Sequence, residues 1–125
     1  MELTREEITT IYKNFWECIN SGNWNEWLDY FSESCTFTNS VMTEVIKGRD
    51  SLEELAKTFP SVINNPDWFV IDGPRLVVSW MERTPEMPEE LAYHGVSSFL
   101  FDSDGKIAEY VGTFNMEDVA RAFSG

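Results

Sequence analysis

Four segments rich in β-branched and aromatic residues follow one another through the second half of the chain, and a turn or loop signal separates each from the next. Such residues are enriched in strands, whereas Asp, Gly and Pro mark the connections between strands. The pattern restricts the second half of the chain to a run of antiparallel strands. The four strands of this run are predicted near 67–72, 75–84, 92–102 and 106–116.

The first sixty residues have a different periodicity. Thr4 and Glu7 have the spacing of a capping box, and apolar residues then recur at helical intervals as far as Gly22. Asn23 can cap a second helix, and from Cys35 the period changes to two, which is typical of a strand. Helices are therefore predicted near 5–21, 23–32 and 50–59, with a first strand near 35–46.

This order of elements predicts an α+β fold. Three helices in the first half would pack on one face of a curved, mixed or antiparallel sheet. The "MEDVARAF" stretch predicts a short closing helix. We expect the chain to form a single domain over residues 1–125, because its length fits one substantial core.

The charge of the chain restricts its partners. Asp and Glu number 22 against nine Lys and Arg, a net charge of −13, and no basic cluster occurs. Nucleic acid and membrane surfaces are therefore not expected as partners, since both require basic contacts. The acidic N-terminal stretch does not resemble a secretory signal, so we expect a cytoplasmic protein whose Cys18 and Cys35 are reduced.

Three stretches together resemble a known family. The "INSGNWNEWLDYFSESCTFTNS" segment, the following "IKGRDSLEEL" and the late "FDSDGKIAEY" are similar to the SnoaL-like, ketosteroid-isomerase-like superfamily, also called nuclear transport factor two-like. The resemblance spans nearly the whole chain. It implies a cone-shaped fold whose sheet curls around the helices and leaves an apolar pocket at the open end, and it implies a homodimer.

The catalytic groups of these relatives are not retained. Ketosteroid isomerases use a carboxylate base, a Tyr and a protonated Asp, and those positions fall on Asn39, Phe15 and Ser97 here. Epoxide hydrolases and polyketide cyclases of the superfamily place an Asp on the last strand, at a position that falls near Gly112. Proton transfer by the catalytic groups of the ketosteroid isomerases, or by those of the epoxide hydrolases and polyketide cyclases, is therefore not predicted.

His94 is the remaining candidate for proton transfer near neutral pH, because it is the only histidine. Strand parity places Ser97 and His94 on opposite faces, so a pocket position for Ser97 directs His94 outward. A bulge at Gly95 would reverse this arrangement. A structural or interfacial role for His94 is the alternative to catalysis.

The predicted site follows from parity and from the resemblance. His94, Asn39 and Tyr110 are the candidate catalytic residues. The carboxylates to test for burial are Glu82, Asp29 and Glu44, each of which is otherwise interpreted as a surface residue. The residues expected to bind substrate are Phe15, Phe37, Trp80, Tyr93, Ser97, Phe99, Gly112 and Phe114.

Three functions are compatible with this sequence. The first is a lyase, isomerase, cyclase or dehydratase that acts on a hydrophobic, polycyclic or terpenoid-like molecule without a cofactor or metal. The second is a module that binds such a molecule without chemistry, and the third is a dimeric protein-interaction domain. A homodimer is expected through the sheet face that the helices leave uncovered, which would carry Val96, Ser98, Leu100, Val111 and Thr113.

Overall fold

The computed structural model describes residues 3–124. The helices and strands alternate only in the first half, and strands dominate the second half. In chain order the elements are α1 (Arg5–Ser21), α2 (Trp24–Asp29), β1 (Phe31–Asn39), β2 (Ile46–Lys47), α3 (Arg49–Ala56), β3 (Ile63–Asp72), β4 (Arg75–Arg83), a 3₁₀ turn (Glu89–Leu91), β5 (Tyr93–Phe101), β6 (Ile107–Phe114) and α4 (Met116–Ala122).

The strands form one curved sheet of six strands in the order β2-β1-β6-β5-β4-β3. Strand β1 lies parallel to β6, and every other neighbouring pair is antiparallel. Helix α1 packs across the sheet, and α2 and α3 cover the side of β1. The predicted mixed α+β fold is therefore confirmed.

The first two helices begin and end where local chemistry predicts. Glu7 donates its backbone N–H to the Thr4 hydroxyl, and Thr4 donates its own N–H to the Glu7 carboxylate. Gly22 ends α1 with φ 70°, a left-handed conformation that favours glycine. The Asn23 side chain then accepts from Glu26 N and begins α2.

The junction between α2 and β1 differs from the prediction. Helix α2 ends at Asp29 rather than near 32, and Phe31 already belongs to a strand. Phe31 is fully buried and pairs with Ile107 of β6, so pairing across the sheet overrides the helix predicted as far as residue 32. The strand also stops at Asn39, whose side chain accepts from Val41 N in a turn, and the chain then reverses into the two-residue β2, which pairs antiparallel with β1.

Strand β3 is longer than predicted because it lies at the edge of the sheet. The strand was predicted to begin near residue 67, but β3 begins at Ile63 and includes the "NNPD" stretch. Proline is tolerated in an edge strand, where its missing N–H breaks no ladder. The register shifts between Pro66 and Trp68, so the ladder adjusts around the proline.

The helices cover one face of the sheet and leave the other open. Val96, Ser98, Leu100 and Val111 lie on the open face and are half-buried, and Thr113 is exposed. Within residues 3–124, no helix combines the length and the apolar composition needed to cross a membrane.

Candidate active site

A cavity of about 210 Å³ opens between the helices and the inner face of the sheet. Helices α1 and α2 and the segment after α3 form one wall, and β1 and β3–β6 form the other. Its lining is mostly aromatic and aliphatic: Phe15, Trp16, Ile19, Trp24, Trp27, Phe37, Asn39, Phe59, Pro60, Val62, Asn64, Trp80, Glu82, Tyr93, Ser97, Tyr110 and Phe114.

Glu82 is the single carboxylate of this lining, which contains no Lys or Arg. It comes from β4, at the same parity as Trp80, so its side chain lies on the inner face. The Tyr93 hydroxyl donates to Glu82 Oε2, and Asn64 Nδ2 donates to Oε1 at 3.1 Å. Asn64 in turn accepts from Trp16 Nε1 at 2.8 Å. The carboxylate is thus held in one orientation by donors from β3 and β5.

Burial has the largest effect on the ionisation of this group. Desolvation raises the pKa of Glu82, and the hydrogen bonds from Tyr93 and Asn64 oppose it without cancelling it. Burial also raises the pKa of Tyr93, and the neighbouring Glu82 raises it further, so Tyr93 remains a hydrogen-bond donor. A carboxylic acid whose pKa lies closer to neutrality is suited to both taking and giving a proton.

A second polar cluster centres on Ser97. Trp80 Nε1 donates to Ser97 Oγ at 2.8 Å, and Ser97 Oγ lies 2.8 Å from the Tyr110 hydroxyl. Ser97 is 1% exposed. Burial raises the pKa of Tyr110 to about 12, so its hydroxyl stays protonated at neutral pH.

Two glycines allow the aromatic rings to reach Ser97. A Cβ atom at Gly95 would lie 2.3 Å from Trp80 Cη2, and one at Gly112 would lie 3.2 Å from the Tyr110 hydroxyl. The two rings therefore occupy the space above these glycines. The pairing of Trp80 with Gly95 is regular, so Gly95 is not a bulge.

Eight of the eleven residues predicted for the site lie in the cavity wall. The ring of Phe37 stacks on Tyr110, with centroids 4.6 Å apart and planes 7° apart, and Phe114 meets Trp80 edge-on at 5.5 Å. Asn39 also reaches the cavity, although its Oδ1 accepts from Val41 N at 3.0 Å. The eight are Phe15, Phe37, Asn39, Trp80, Tyr93, Ser97, Tyr110 and Phe114.

His94 does not line the cavity, so the structure does not bring it together with the other two candidate catalytic residues. The ladder between β4 and β5 is continuous, so His94 points to the face opposite Tyr93 and Ser97. There its Nε2 lies 2.7 Å from Ser79 Oγ. Parity alone predicts this position, and the bulge that would reverse it is not formed.

Phe99 and Gly112 are the other two predicted residues that do not line the cavity. Phe99 is 1% exposed and is enclosed by Phe15, Trp16 and Tyr110, so it is a core residue. The ring of Tyr110 fills the space beside Gly112, so this glycine does not make room for a ligand.

Sequence reasoning missed Asn64 and the helical wall. Asn64 lay outside the strand predicted near 67–72, although a strand that began earlier would have placed it opposite Glu82. Trp24 and Trp27 of α2 line the cavity, and neither was predicted as a site residue. Among residues 3–124, no group of three or more His, Cys, Asp or Glu side chains could hold a metal ion.

Comparison with known proteins agrees with this fold. The sequence profile of the SnoaL-like domain matches residues 12–110. No curated protein sequence matches the chain significantly. Among solved structures, an epoxide hydrolase of the LEH-like type from M. tuberculosis superposes with a TM-score of 0.78 at 13% identity, covering 96% of this chain and 92% of that one.

Two further structures resemble the chain closely in fold. The epoxide hydrolase/cyclase-like enzyme SalBIII, of pyran ring formation in salinomycin, has a TM-score of 0.76 and 20% identity over 90% of this chain and 94% of its own. A candidate SnoaL-like polyketide cyclase from Shewanella putrefaciens has a TM-score of 0.79 and 10% identity, over 97% of this chain and 87% of its own.

The fold is of the nuclear transport factor two-like type, with a mostly apolar cavity between the helices and the sheet. The chain belongs to the SnoaL-like domain family.

Proposed function

We propose that this protein is a cofactor-free enzyme that moves a proton on a hydrophobic substrate, as a lyase, isomerase or cyclase does, with Glu82 as the general acid or base. The observation that carries the proposal is a carboxyl group with a raised pKa in the wall of an apolar cavity. Glu82 occupies a strand position different from those of the relatives' carboxylates. Glu82 would act as the base. Asn39 is an amide that cannot take a proton, and His94 does not line the cavity.

The hydrogen bonds of Glu82 leave it able to react. An ionised carboxylate has about four lone-pair sites, and Tyr93 and Asn64 occupy two of them. A free lone pair on the cavity side can accept a proton from substrate carbon or oxygen, and the resulting acid can return it. The Asn39 amide, whose oxygen is engaged by Val41, would present its N–H₂ group to a substrate oxygen.

The size and lining of the cavity support a compact hydrophobic substrate. A dry cavity of about 150 Å³ is large enough for benzene. The cavity of about 210 Å³ therefore suits a molecule of one or two rings, or a terpenoid of similar size. The cyclase and epoxide hydrolase activities named for SalBIII and the LEH-like protein fall within the same class of chemistry and support this assignment.

The Kemp elimination of 5-nitrobenzisoxazole tests the proposal, because this bicyclic probe reports a base in an apolar pocket. The base removes the C3 proton, the C–H electrons form the nitrile, and the N–O bond breaks to give the coloured 2-cyano-4-nitrophenolate. Glu82→Gln should lower kcat/KM by roughly a hundredfold or more. Glu109→Gln, which removes an exposed carboxylate from β6, is the matched control and should have no effect. An unchanged rate in Glu82→Gln would contradict catalysis and favour ligand binding alone.

We also propose that two copies of the chain associate through the open face of the sheet. Residues paired across the strands form an apolar row on this face: Val70 pairs with Val77, Val77 with Ser98 and Ser98 with Val111. Val70 is 54% exposed, which is unusual for part of a contiguous apolar row. A symmetric dimer would cover the row in both copies. A mass of 14.5 kDa by light scattering at micromolar concentration would contradict it.

A further inference from the structure

The polar cluster around Ser97 has three donor hydrogens but only two hydrogen bonds. Trp80 contributes an indole N–H, and Ser97 and Tyr110 each contribute one O–H. The contact from Trp80 to Ser97 uses the first hydrogen, and the contact between the two hydroxyls uses the second. Neither oxygen has another hydrogen-bond partner within residues 3–124, so one hydroxyl hydrogen is left over.

The cavity is where this hydrogen can find an acceptor. Ser97 and Tyr110 both line the cavity, and Ser97 is 1% exposed. If Ser97 donates to Tyr110, the free hydrogen belongs to Tyr110, and if Tyr110 donates to Ser97, it belongs to Ser97. A donor that faces a mostly apolar wall gains from an acceptor, so a ligand oxygen at this point is favoured.

Both arrangements strengthen the free donor. In the first, the indole N–H polarises the serine hydroxyl, which polarises the tyrosine hydroxyl in turn. In the second, Ser97 accepts two hydrogen bonds, which makes its own O–H a better donor. Burial raises the pKa of Tyr110 to about 12, so the phenol remains neutral and retains its hydrogen.

The charges of the lining define the rest of the ligand. Glu82 is the only ionisable acid of the wall apart from the phenols, and Lys and Arg are missing from the lining residues. An anionic group would therefore be desolvated beside a carboxyl with no cation to compensate it. A neutral molecule with one accepting oxygen supplies the acceptor for the free hydroxyl hydrogen and places no second negative charge beside Glu82.

We propose that the Trp80–Ser97–Tyr110 cluster binds the carbonyl or ether oxygen of a neutral, apolar substrate through this one free hydroxyl hydrogen. The proposal deepens the proposed function, on which it rests for the role of the bound molecule as substrate. During proton transfer at Glu82 the same donor would stabilise negative charge that develops on the substrate oxygen. The two groups lie on different strands, so each can be tested alone.

Binding of 1-indanone and indane tests the proposal, since the two molecules differ by one carbonyl oxygen. NMR titration gives the dissociation constant of each, and infrared spectroscopy of the ¹³C-labelled ketone gives the C=O stretching frequency in the bound state. The wild type should bind 1-indanone more tightly than indane, and the bound carbonyl should absorb at lower frequency than in hexane. Equal affinities, or a frequency equal to that in hexane, would overturn the proposal.

The hydrogen count makes a sharper prediction for variants. Tyr110→Phe removes one hydroxyl but releases the Ser97 hydrogen, so a preference for the ketone and a frequency shift should remain. The triple variant Trp80→Phe, Ser97→Ala, Tyr110→Phe removes all three hydrogens and should lose the preference by roughly tenfold, together with the shift. A preference that survives in the triple variant would overturn the proposal. The ratio of the two affinities within each variant cancels changes in cavity shape.

Two controls separate this proposal from the proposed function. His94 lies outside the cavity, so His94→Ala should leave the ratio of the affinities for 1-indanone and indane unchanged. Indane-1-carboxylate should bind at least tenfold more weakly than 1-indanone, and equal binding would overturn the neutral class. The effect of Glu82→Gln on the Kemp elimination reports the base, and the loss of ketone preference in the triple variant reports the hydroxyl donor. Failure of either test is therefore distinguishable from failure of the other.

Discussion

The indole ring of Trp80 lies over the backbone of Gly95, on the neighbouring strand, so closely that no side chain fits between them. A Cβ atom at position 95 would lie 2.3 Å from Trp80 Cη2 and 2.5 Å from Cζ2. The glycine therefore determines the direction of the indole N–H, which reaches Ser97. A residue with no side chain positions one of the polar groups of the cavity.

Gly95→Ala is expected to destabilise the fold because the ring of Trp80 must move. Overpacking of this kind costs about 1–3 kcal/mol. Gly112→Ala is the matched variant on β6, where the added Cβ meets the Tyr110 hydroxyl at 3.2 Å and a small shift suffices. In urea, the free energy of unfolding of Gly95→Ala should be clearly lower than that of Gly112→Ala. The reverse order would contradict the packing described here.

The stability of the protein should depend on pH through Glu82. Burial raises the pKa of Glu82 above its ordinary value of 4.5, so the unfolded chain releases this proton at lower pH than the folded chain does. The contribution of Glu82 is fully present below the unfolded pKa and is lost as pH rises through the folded pKa. The free energy of unfolding of Glu82→Gln, relative to the wild type, should therefore increase between pH 4 and pH 8. Urea titrations across this range measure the difference, and a constant difference would contradict it.

Tyr93→Phe should shift the pH dependence of catalysis upward. The hydrogen bond from Tyr93 lowers the pKa of Glu82 against the effect of burial, so its removal should raise that pKa further. The midpoint of the rate profile for the Kemp elimination reports this pKa. Tyr110→Phe removes a phenol that bonds to Ser97 instead, so it should shift the midpoint less. A downward shift in Tyr93→Phe would refute the assignment of Glu82 as the base.

His94→Ala should affect stability and leave the Kemp elimination unchanged. His94 contacts Ser79, which is 1% exposed, and removal of the imidazole leaves that hydroxyl without this partner. The expected loss is about 1–3 kcal/mol in the free energy of unfolding. Equal kcat/KM values for the variant and the wild type would agree with the position of His94 outside the cavity. A hundredfold loss would restore His94 as a catalytic candidate.

Much of the fold could be predicted from the sequence because its signals are local. The capping box of Thr4 and Glu7 and the glycine after α1 determine the first helix without reference to the rest of the chain. The alternation along β5 likewise predicts that Tyr93 and Ser97 share a face, and His94 the other. Where the prediction failed, at Phe31, a pairing with a distant strand decided the outcome.

The chemistry of the site was harder to predict because it depends on contacts between distant segments. Glu82 has an ordinary polar sequence environment, and its raised pKa depends on burial and on contacts with other strands, among them the hydrogen bond from Asn64 on the edge strand. Because the predicted strand began only near residue 67, Asn64 was not recognised as the partner that would have identified Glu82. The reach of Trp80 over Gly95 also depends on register, which a single sequence does not specify.

The parallel pairing of β1 with β6 joins the first third of the chain to the last. Asn39 and Phe37 on one strand, and Tyr110 on the other, therefore meet only after every intervening element has been made. Contacts between such distant segments form late, because closing a long loop is entropically unfavourable. A nascent chain that lacks β6 has neither the stacked pair nor a closed cavity, so it cannot retain a small apolar molecule. Occupancy of the cavity would consequently be a property of the finished chain, and a bound ligand would stabilise only that state.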